Sequence, residues 1–236
     1  MRFATDLHIH TALSPCSDKD MTPNNIVNMA CLKGLDIIAI TDHNSAENVQ
    51  AVIKSASGKK LVVVPGMEVE TKEEVHLVCL FPSFDSALRM QDIIHAALPD
   101  RRNREDIFGR QLIMDEHDGI LSESVRFLLT AANISIKDVV NAVLEMGGAV
   151  IPAHADRTSC SIISNLGIMP EYPDIKYLEL SKGCSTKEFL QKYPYLYGYE
   201  FIKSSDAHRL GDILEREDFI DLPELSISCL LNALRK

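Results

Sequence analysis

The sequence is short of three things, and each shortage removes a class of function. Positive charge is scarce: 24 lysines and arginines face 34 aspartates and glutamates over 236 residues, a formal net charge of −10. Sequence-independent adhesion to duplex nucleic acid needs a basic face. Duplex nucleic acid is therefore not an expected partner, although a locally positive pocket for a small phosphate ester is compatible with the total. Long apolar runs are missing too. None approaches the roughly 20 residues that span a bilayer, and MRFATDLHIH at the start lacks the continuous apolar stretch of a secretory signal. A cytoplasmic protein with no membrane partner is expected. Finally, no two cysteines are closely spaced: Cys16, Cys31, Cys79, Cys160, Cys184 and Cys229 are scattered and form no C-x-x-C. This speaks against a disulfide framework and against a thiolate zinc site, and the cysteines are expected to be reduced packing residues.

What is present is ample apolar content, 46% of residues, in short runs that alternate with helix-like segments. RFATDLHI reads as a strand. It leads to TPNNIVNMACLKGL, where Thr22 can cap a helix, Pro23 suits its first position and Gly34 its end. DIIAITDH is a near-continuous apolar strand of the kind buried on both faces of a parallel sheet. NSAENVQAVIKSAS reads as a helix, and KLVVVPGMEVET and EVHLVCLF as strands. After a long middle segment come a helix from Ser135 to Met146 and the strands GAVIPAHA, IKYLELS and EFIKSSDAH. Such alternation predicts an α/β barrel or a doubly wound sheet.

The polar residues fall in one topological place. His8 and His10, Asp42 and His43, Glu68, His154, and Asp206 and His208 all sit at or just past the carboxyl ends of predicted strands, the end that carries the chemistry in α/β barrels. One such histidine would be unremarkable, but five of the eight make separate structural roles improbable. His76 opens a strand and is undecided by periodicity. His95 and His117 lie on helical segments and are read as structural. Imidazoles mixed with carboxylates, without thiolates, suit divalent zinc, manganese or iron, and a carboxylate among them can bridge two ions. Ions held about 3.5–4 Å apart can clamp the attacking and leaving oxygens of a phosphoryl displacement and supply hydroxide near neutral pH. Alternation along a strand sends His8 and His10 to the same face, so both can reach one ion.

DLHIHT, SDKDMTP, GLDIIAITDHNS, PGMEVET followed by EVHLV, IPAHADR and SSDAH, in that order from about residue 3 to residue 209, resemble the motifs of the PHP family, named for its polymerase and histidinol-phosphatase members. The resemblance implies a distorted (β/α)7 barrel, a site for two or three divalent metal ions, and phosphoester hydrolysis by a metal-bound hydroxide with no side-chain nucleophile. Position by position it implies metal ligation by His8, His10, Asp18, His43, Glu68, His76, His154, Asp206 and His208. The implied grouping puts His8, His10, Glu68 and Asp206 around one ion, Asp18, His43 and His208 around a second, and His76 and His154 with Glu68 at a third. The common family form has a shorter turn before the acidic ligand and a glycine where Lys19 stands, so Ser17 and Asp20 compete with Asp18. Asp42 is read as orienting a ligand imidazole rather than as a ligand.

Glu68, Asp206 and Arg157 are the expected catalytic residues, with Arg157 holding the phosphate through paired hydrogen bonds; Lys182 and Arg209 are weaker candidates for the same task. DRRNRED reads as the charged start of a helix, because acidic residues are interleaved with its arginines. YPYLYGYE is read as packing and a turn. Residues 1–81 and 134–236 are assigned to the barrel. Residues 82–133 are assigned to an insertion of two helices, ALRMQDIIHAALPD and NREDIFGRQLIMDEHDG, over the carboxyl-end mouth, where it would select substrate. PGMEVET…EVHLV and the mid-chain insertion resemble the nucleotide-phosphoesterase branch of the family, and this resemblance implies a small nucleotide or nucleoside bisphosphate as substrate, with inorganic phosphate released. Histidinol phosphate is the alternative substrate, and a metal-binding regulatory or assembly protein is the alternative from outside enzymes.

Overall fold

A computed structural model describes residues 1–172 and 174–235. In chain order the elements are β1 (Arg2–Ile9), α1 (Pro23–Leu32), β2 (Ile37–Ile40), α2 (Val49–Ser55), β3 (Val62–Glu70), β4 (His76–Leu80), α3 (Phe84–Ala97), α4 (Glu105–Phe108), β5 (Leu112–Met114), β6 (Ile120–Glu123), α5 (Ile136–Glu145), β7 (Ala149–Pro152), α6 (Ile162–Leu166), β8 (Tyr177–Ser181), α7 (Thr186–Lys192), β9 (Glu200–Ser204), β10 (Phe219–Asp221) and α8 (Ile227–Arg235). Local chemistry sets several of these bounds. The Thr22 side chain accepts from Asn25 N with Pro23 in the first turn of α1, and Ser135 caps α5 by accepting from Asp138 N. Both satisfy backbone donors that a helix leaves free at its start.

Six strands form one sheet in the order β10-β1-β2-β3-β4-β7, and β8 pairs in parallel with β9. Backbone hydrogen bonds carry the curl across both joins. Ala155 N donates to Glu179 O at 2.8 Å beyond β7, and His10 N donates to Ala207 O at 3.0 Å beyond β9. The result is a mixed α/β fold with a strongly curled, barrel-like sheet. It departs from strict strand–helix alternation at β4, which runs antiparallel to both β3 and β7 and follows β3 through the turn 71–75 with no helix between.

The all-apolar run Ile37–Ile40 is buried on both sides of the sheet. Ile37 and Ala39 pack with Leu7, Val64, Val78 and Ile151 and with Leu230, Leu231 and Leu234 of α8. Ile38 and Ile40 join the larger cluster that includes Ile26 and Val27 of α1 and Val49 and Val52 of α2. Each such side chain removed from water contributes about 1.5–3 kcal/mol. Gly66 of β3 sits where a side chain would have no room. A Cβ there would lie 2.8 Å from Thr41 Cγ2 and 2.9 Å from Ile40 O, two residues before Glu68. Gly66→Ala should destabilise the protein by about 1–3 kcal/mol through overpacking, read as a lowered thermal midpoint by circular dichroism. An unchanged midpoint would mean that the two strands separate freely.

The middle segment differs from its sequence reading. The first expected helix is present as α3, but the second is replaced by the single turn α4 and the hairpin β5–β6. Gly109, at φ +95°, ends α4 where a Cβ would lie 2.6 Å from Pro15 O. The hairpin turns through Asp115, whose carboxylate accepts from His117 N and Gly119 N at 2.8 Å, and through Asp118 at φ +65°. Leu112 N donates to Ala12 O, and Asn48 bonds to Leu112 O and Met114 N. The segment therefore packs on the loops that follow β1 and β2. DRRNRED does carry the start of a helix, with Arg104 and Asp106 paired in solvent, and Pro194–Leu196 form the expected turn in YPYLYGYE.

Candidate metal centre

The carboxyl ends of β1, β2, β3, β7 and β9 bring their histidines and carboxylates to one buried point. Glu68, 1% exposed, stands at its centre. Its Oε1 lies 2.8 Å from His76 Nδ1, 3.2 Å from His8 Nε2 and 3.3 Å from His154 Nε2. Its Oε2 lies 2.9 Å from His43 Nδ1 and 3.4 Å from His10 Nε2. Asp206 Oδ1 lies 3.0 Å from His10 Nε2, 3.3 Å from His8 Nε2 and 3.6 Å from His208 Nδ1. Backbone shape contributes: His154 (φ +30°) and Asp206 (φ +50°) occupy the left-handed region, which costs non-glycine residues about 1–3 kcal/mol and concentrates at functional sites. The ladder between β1 and β2 also shifts register between Asp6 and Ile9, the kind of irregularity that re-aims side chains beside active sites.

The outer nitrogens of several rings are held. His8 Nδ1 meets Glu179 at 3.0 and 3.1 Å, which directs its Nε2 lone pair inward. His10 Nδ1 meets Ser14 Oγ at 3.0 Å, and Ser14 donates to Asp42 at 2.7 Å. Asp42 also accepts from Thr11 N and Thr11 Oγ1, so it orients the imidazole of His10 through a hydroxyl. His208 Nδ1 lies 2.9 Å from Asp206 O. These assignments follow from the partners each ring nitrogen finds.

Charge is concentrated here at the expense of solvation. Burial pushes Glu68 up, but His76, His8 and His43 outweigh it and hold the carboxyl well below the usual range. Burial likewise opposes ionisation of Asp206, and His8 and His10 overcome it. Burial pushes His76 down, but Glu68 beside it raises the imidazole to about 9. His8 and His43 are also raised against burial, whereas His10 is driven down by burial and by repulsion from His208 and His43. Burial pushes the Cys16 thiol up, but the influence of the His208 and His43 imidazoles outweighs it and brings it to about 7.

The donor set fits divalent cations. His8 Nε2 and His10 Nε2 point at each other across 3.1 Å, which two lone pairs tolerate only with a cation or a shared proton between them. Glu68 Oε2 is buried without a hydrogen bond, as is His154 Nδ1. Four groupings among the described residues place ligand atoms within 4.8 Å of one another: His8, His10, Glu68 and Asp206; His43, Glu68 and His76; His10, His43 and His208; and Glu70, His76 and Cys160. Asp18 is elsewhere. It is exposed, its Oδ1 accepts from Asp20 N at 3.0 Å, and only its backbone N reaches the site, bonding to His208 O at 2.8 Å.

Arg157, half exposed, reaches Asp206 Oδ2 with Nη1 at 2.6 Å. Lys182 turns instead to Asp212 O at 3.2 Å, and Arg209 is exposed. His95 Nε2 meets Asn44 O at 3.1 Å outside the cluster, and His117 is exposed on the hairpin turn. Sequence reading missed Glu179. A glutamate between two leucines of YLELS is a buried charge that needs a partner, and that was the available signal.

A model of the PHP domain matches residues 6–130, more than half of the chain. The 5′-3′ exoribonuclease Rnm of Salmonella typhimurium is 34% identical over 100 residues, 40% of this chain and 30% of that protein. Rnm of Escherichia coli is 28% identical over 158 residues, 64% of this chain and 46% of that protein. The chain thus spans less than half the length of these relatives. Among solved structures, the lesion-specific endonuclease EndoQ from Pyrococcus furiosus has a TM-score of 0.70 at 19% identity, covering 100% of this chain and 56% of that one. Endonuclease Q in complex with a 27-mer duplex matches equally, with a TM-score of 0.70 over 99% of this chain.

These findings correct the expectation of no duplex nucleic acid: the same fold holds a duplex in Endonuclease Q. Net charge sums the whole surface, whereas phosphate recognition at a metal centre is local and set by the largest nearby charges. With more than half its length matched, the chain belongs to the PHP domain family.

Proposed function

We propose that this chain hydrolyses phosphoester bonds of a nucleotide or of a nucleic-acid strand, at a divalent-metal centre built around Glu68. The observation that carries the proposal is the convergence of five imidazoles on the two oxygens of one buried carboxylate. A structural role would leave so many polar groups buried at a cost with no compensating gain. His8, His10, Glu68 and Asp206 would hold one ion, His43, Glu68 and His76 another, with His154 and His208 at the edges of the cluster. Ions bound there would polarise the phosphoryl group and make water a competent nucleophile near neutral pH.

The chain's own residues do the rest. Glu179 and the Ser14–Asp42 pair fix the imidazoles of His8 and His10 before any ligand arrives, so no reorganisation is needed. Arg157 stands beside Asp206 at the solvent edge, where a guanidinium has donors to spare for a nonbridging phosphate oxygen. The hairpin 112–123, packed on the loops beyond β1 and β2, would border whatever is attached to the phosphate.

The test is a panel of nucleoside monophosphates and bisphosphates, 5′-phosphorylated single-stranded RNA and DNA, and a duplex, each incubated with metal-free protein plus manganese, zinc or iron(II). Hydrolysis of at least one class, lost in Asp206→Asn with the fold retained, is expected. No turnover of any class by protein that has taken up metal would instead leave a metal-binding regulatory or assembly protein.

Metal uptake should depend on pH over an unusual range. His76 is raised to about 9 by Glu68, so in the metal-free protein it carries a proton at neutral pH and must release it to become a ligand. Metal affinity, measured against a competing chelator, should therefore keep rising from pH 7 to about 9, beyond the ordinary imidazole range near 6.5. Affinity that levels off near pH 7 would contradict the His76–Glu68 pairing.

A further inference from the structure

The interleaved acids of DRRNRED neutralise only one of its arginines. Arg104 pairs with Asp106, and Arg110 just beyond pairs with Glu123. Arg101 and Arg102 are exposed and, among the described residues, form no ion pair with a carboxylate. The fold then adds a third cation. Asn103 N donates to Val125 O at 2.9 Å and Phe127 N to Arg101 O at 3.0 Å, and Arg102 stands directly opposite Arg126 in an antiparallel bridge. Side chains at such a position share one face of the ribbon, with Cβ atoms about 4.5–5.5 Å apart, and like charges there repel. Arg126 sends Nη1 to His95 O at 3.2 Å, which leaves other donors of its fork for an incoming oxygen. Asp100, Arg101, Arg102, Val125 and Arg126 line a hollow of about 460 Å³. Three guanidiniums therefore border one concavity in a chain of net charge −10, an arrangement that an anion would relieve.

The hollow lies on the same side of the sheet as the metal centre. β4 is antiparallel to β3, so it ends at Leu80 opposite Gly66, away from the carboxyl end of β3, and α3 then runs back toward that end. There His95 Nε2 meets Asn44 O at 3.1 Å, and Asn44 Nδ2 donates to Leu128 O at 2.9 Å. Hydrogen bonds thus run from Arg126 to His95 to Asn44, the residue after His43, and set the arginines beside the centre rather than in it. An aromatic edge adjoins them. The Phe127 ring lies 4.5 Å, centroid to centroid, from that of Phe108, which is 39% exposed.

We propose that Arg101, Arg102 and Arg126 hold the phosphate backbone of a single-stranded nucleic acid whose scissile phosphate lies at the Glu68 centre. The proposal rests on the phosphoesterase reading above and selects a strand over a free nucleotide as substrate. Guanidiniums that stand beside the metal ligands meet a different phosphate from the one being hydrolysed, and their forks match its nonbridging oxygens. A cationic hollow next to an exposed aromatic ring is the combination that tracks a flexible strand, charge on the backbone and ring against base.

Binding is read by the fluorescence anisotropy of a labelled, 5′-phosphorylated single-stranded RNA oligonucleotide on metal-free full-length protein, so that it is measured apart from hydrolysis. Arg101→Ala and Arg102→Ala together should weaken binding by at least about tenfold at low salt, and should flatten the dependence of log Kd on log salt by about 0.7 for each arginine removed. Arg101→Lys with Arg102→Lys should keep most of that slope. Arg104→Ala, whose charge Asp106 already offsets, should bind as the wild type does, and circular dichroism checks that each variant folds. With metal restored, cleavage of the strand by the alanine pair should fall at least about tenfold further than hydrolysis of a nucleoside bisphosphate. Unchanged affinity and salt slope in the alanine pair overturns the proposal. Equal losses on strand and bisphosphate overturn it too, because the arginines would then serve a phosphate at the centre itself. A duplex that binds as tightly as the strand, with the same response to the alanine pair, overturns the choice of a single strand. Strand binding as expected with no hydrolysis of any substrate would overturn the phosphoesterase reading and leave the arginine surface standing.

Discussion

Glu68→Gln should lower phosphoester hydrolysis by at least about 100-fold, the scale of losing one strong electrostatic contribution, and should lower bound metal as well. The substitution keeps size and shape and removes one negative charge. In the metal-free protein that charge faces His8, His10, His43, His76 and His154 within 3.4 Å. With ions present it would offset the repulsion between two cations sharing its oxygens. Elemental analysis of the purified variant separates this role from a purely structural one. His95→Ala and His117→Ala are the controls, because the His95 ring meets the Asn44 backbone outside the cluster and His117 is exposed. Near-normal activity and stoichiometry in Glu68→Gln would remove the carboxylate from the centre.

The second large effect is expected at Glu179, which is buried behind His8 and His154. Its carboxylate accepts from His8 Nδ1 and, at 3.0 Å, from His154 N, so one buried side chain positions two of the histidines. Partners of this kind typically carry about 10–100-fold in metal affinity. Glu179→Ala should sit at the upper end of that range, because it strands two buried donors. Glu179→Gln, whose amide oxygen still accepts, should recover most of the loss. Chelator competition reads the affinity, and the thermal midpoint of the metal-free variants shows whether the loss is merely structural. Equal affinity for all three proteins would mean that His8 is oriented by packing alone.

The fold and the centre were legible in the sequence to different depths. His8, His10, His43, Glu68, His154, Asp206 and His208 were visible because a polar residue at the end of an apolar run is conspicuous, and a shared strand end brings distant positions together. What periodicity could not supply was side-chain direction in loops. Asp18 turns outward to Asp20 N, in a loop whose backbone hydrogen bonds pin residues 14–21. Glu179 was hidden because a charge within a strand looks like the solvent face of an alternating pattern until the opposite face proves to be covered as well. The hairpin β5–β6 carried its own signal in Asp118-Gly119, a turn pair lying between the apolar runs 112–114 and 120–121. The helical reading of 103–119 overrode that signal, although Gly109 already marked an early end to the helix.

The account stands on the claim that the Glu68 cluster is a metal centre, and elemental analysis of the purified protein tests it most directly. Two or more divalent ions per chain are predicted, from groupings that share Glu68, with loss of hydrolysis on chelation and recovery on adding zinc, manganese or iron(II) back. A protein that holds no metal as purified, and that neither binds nor is activated by any of the three, would contradict the account.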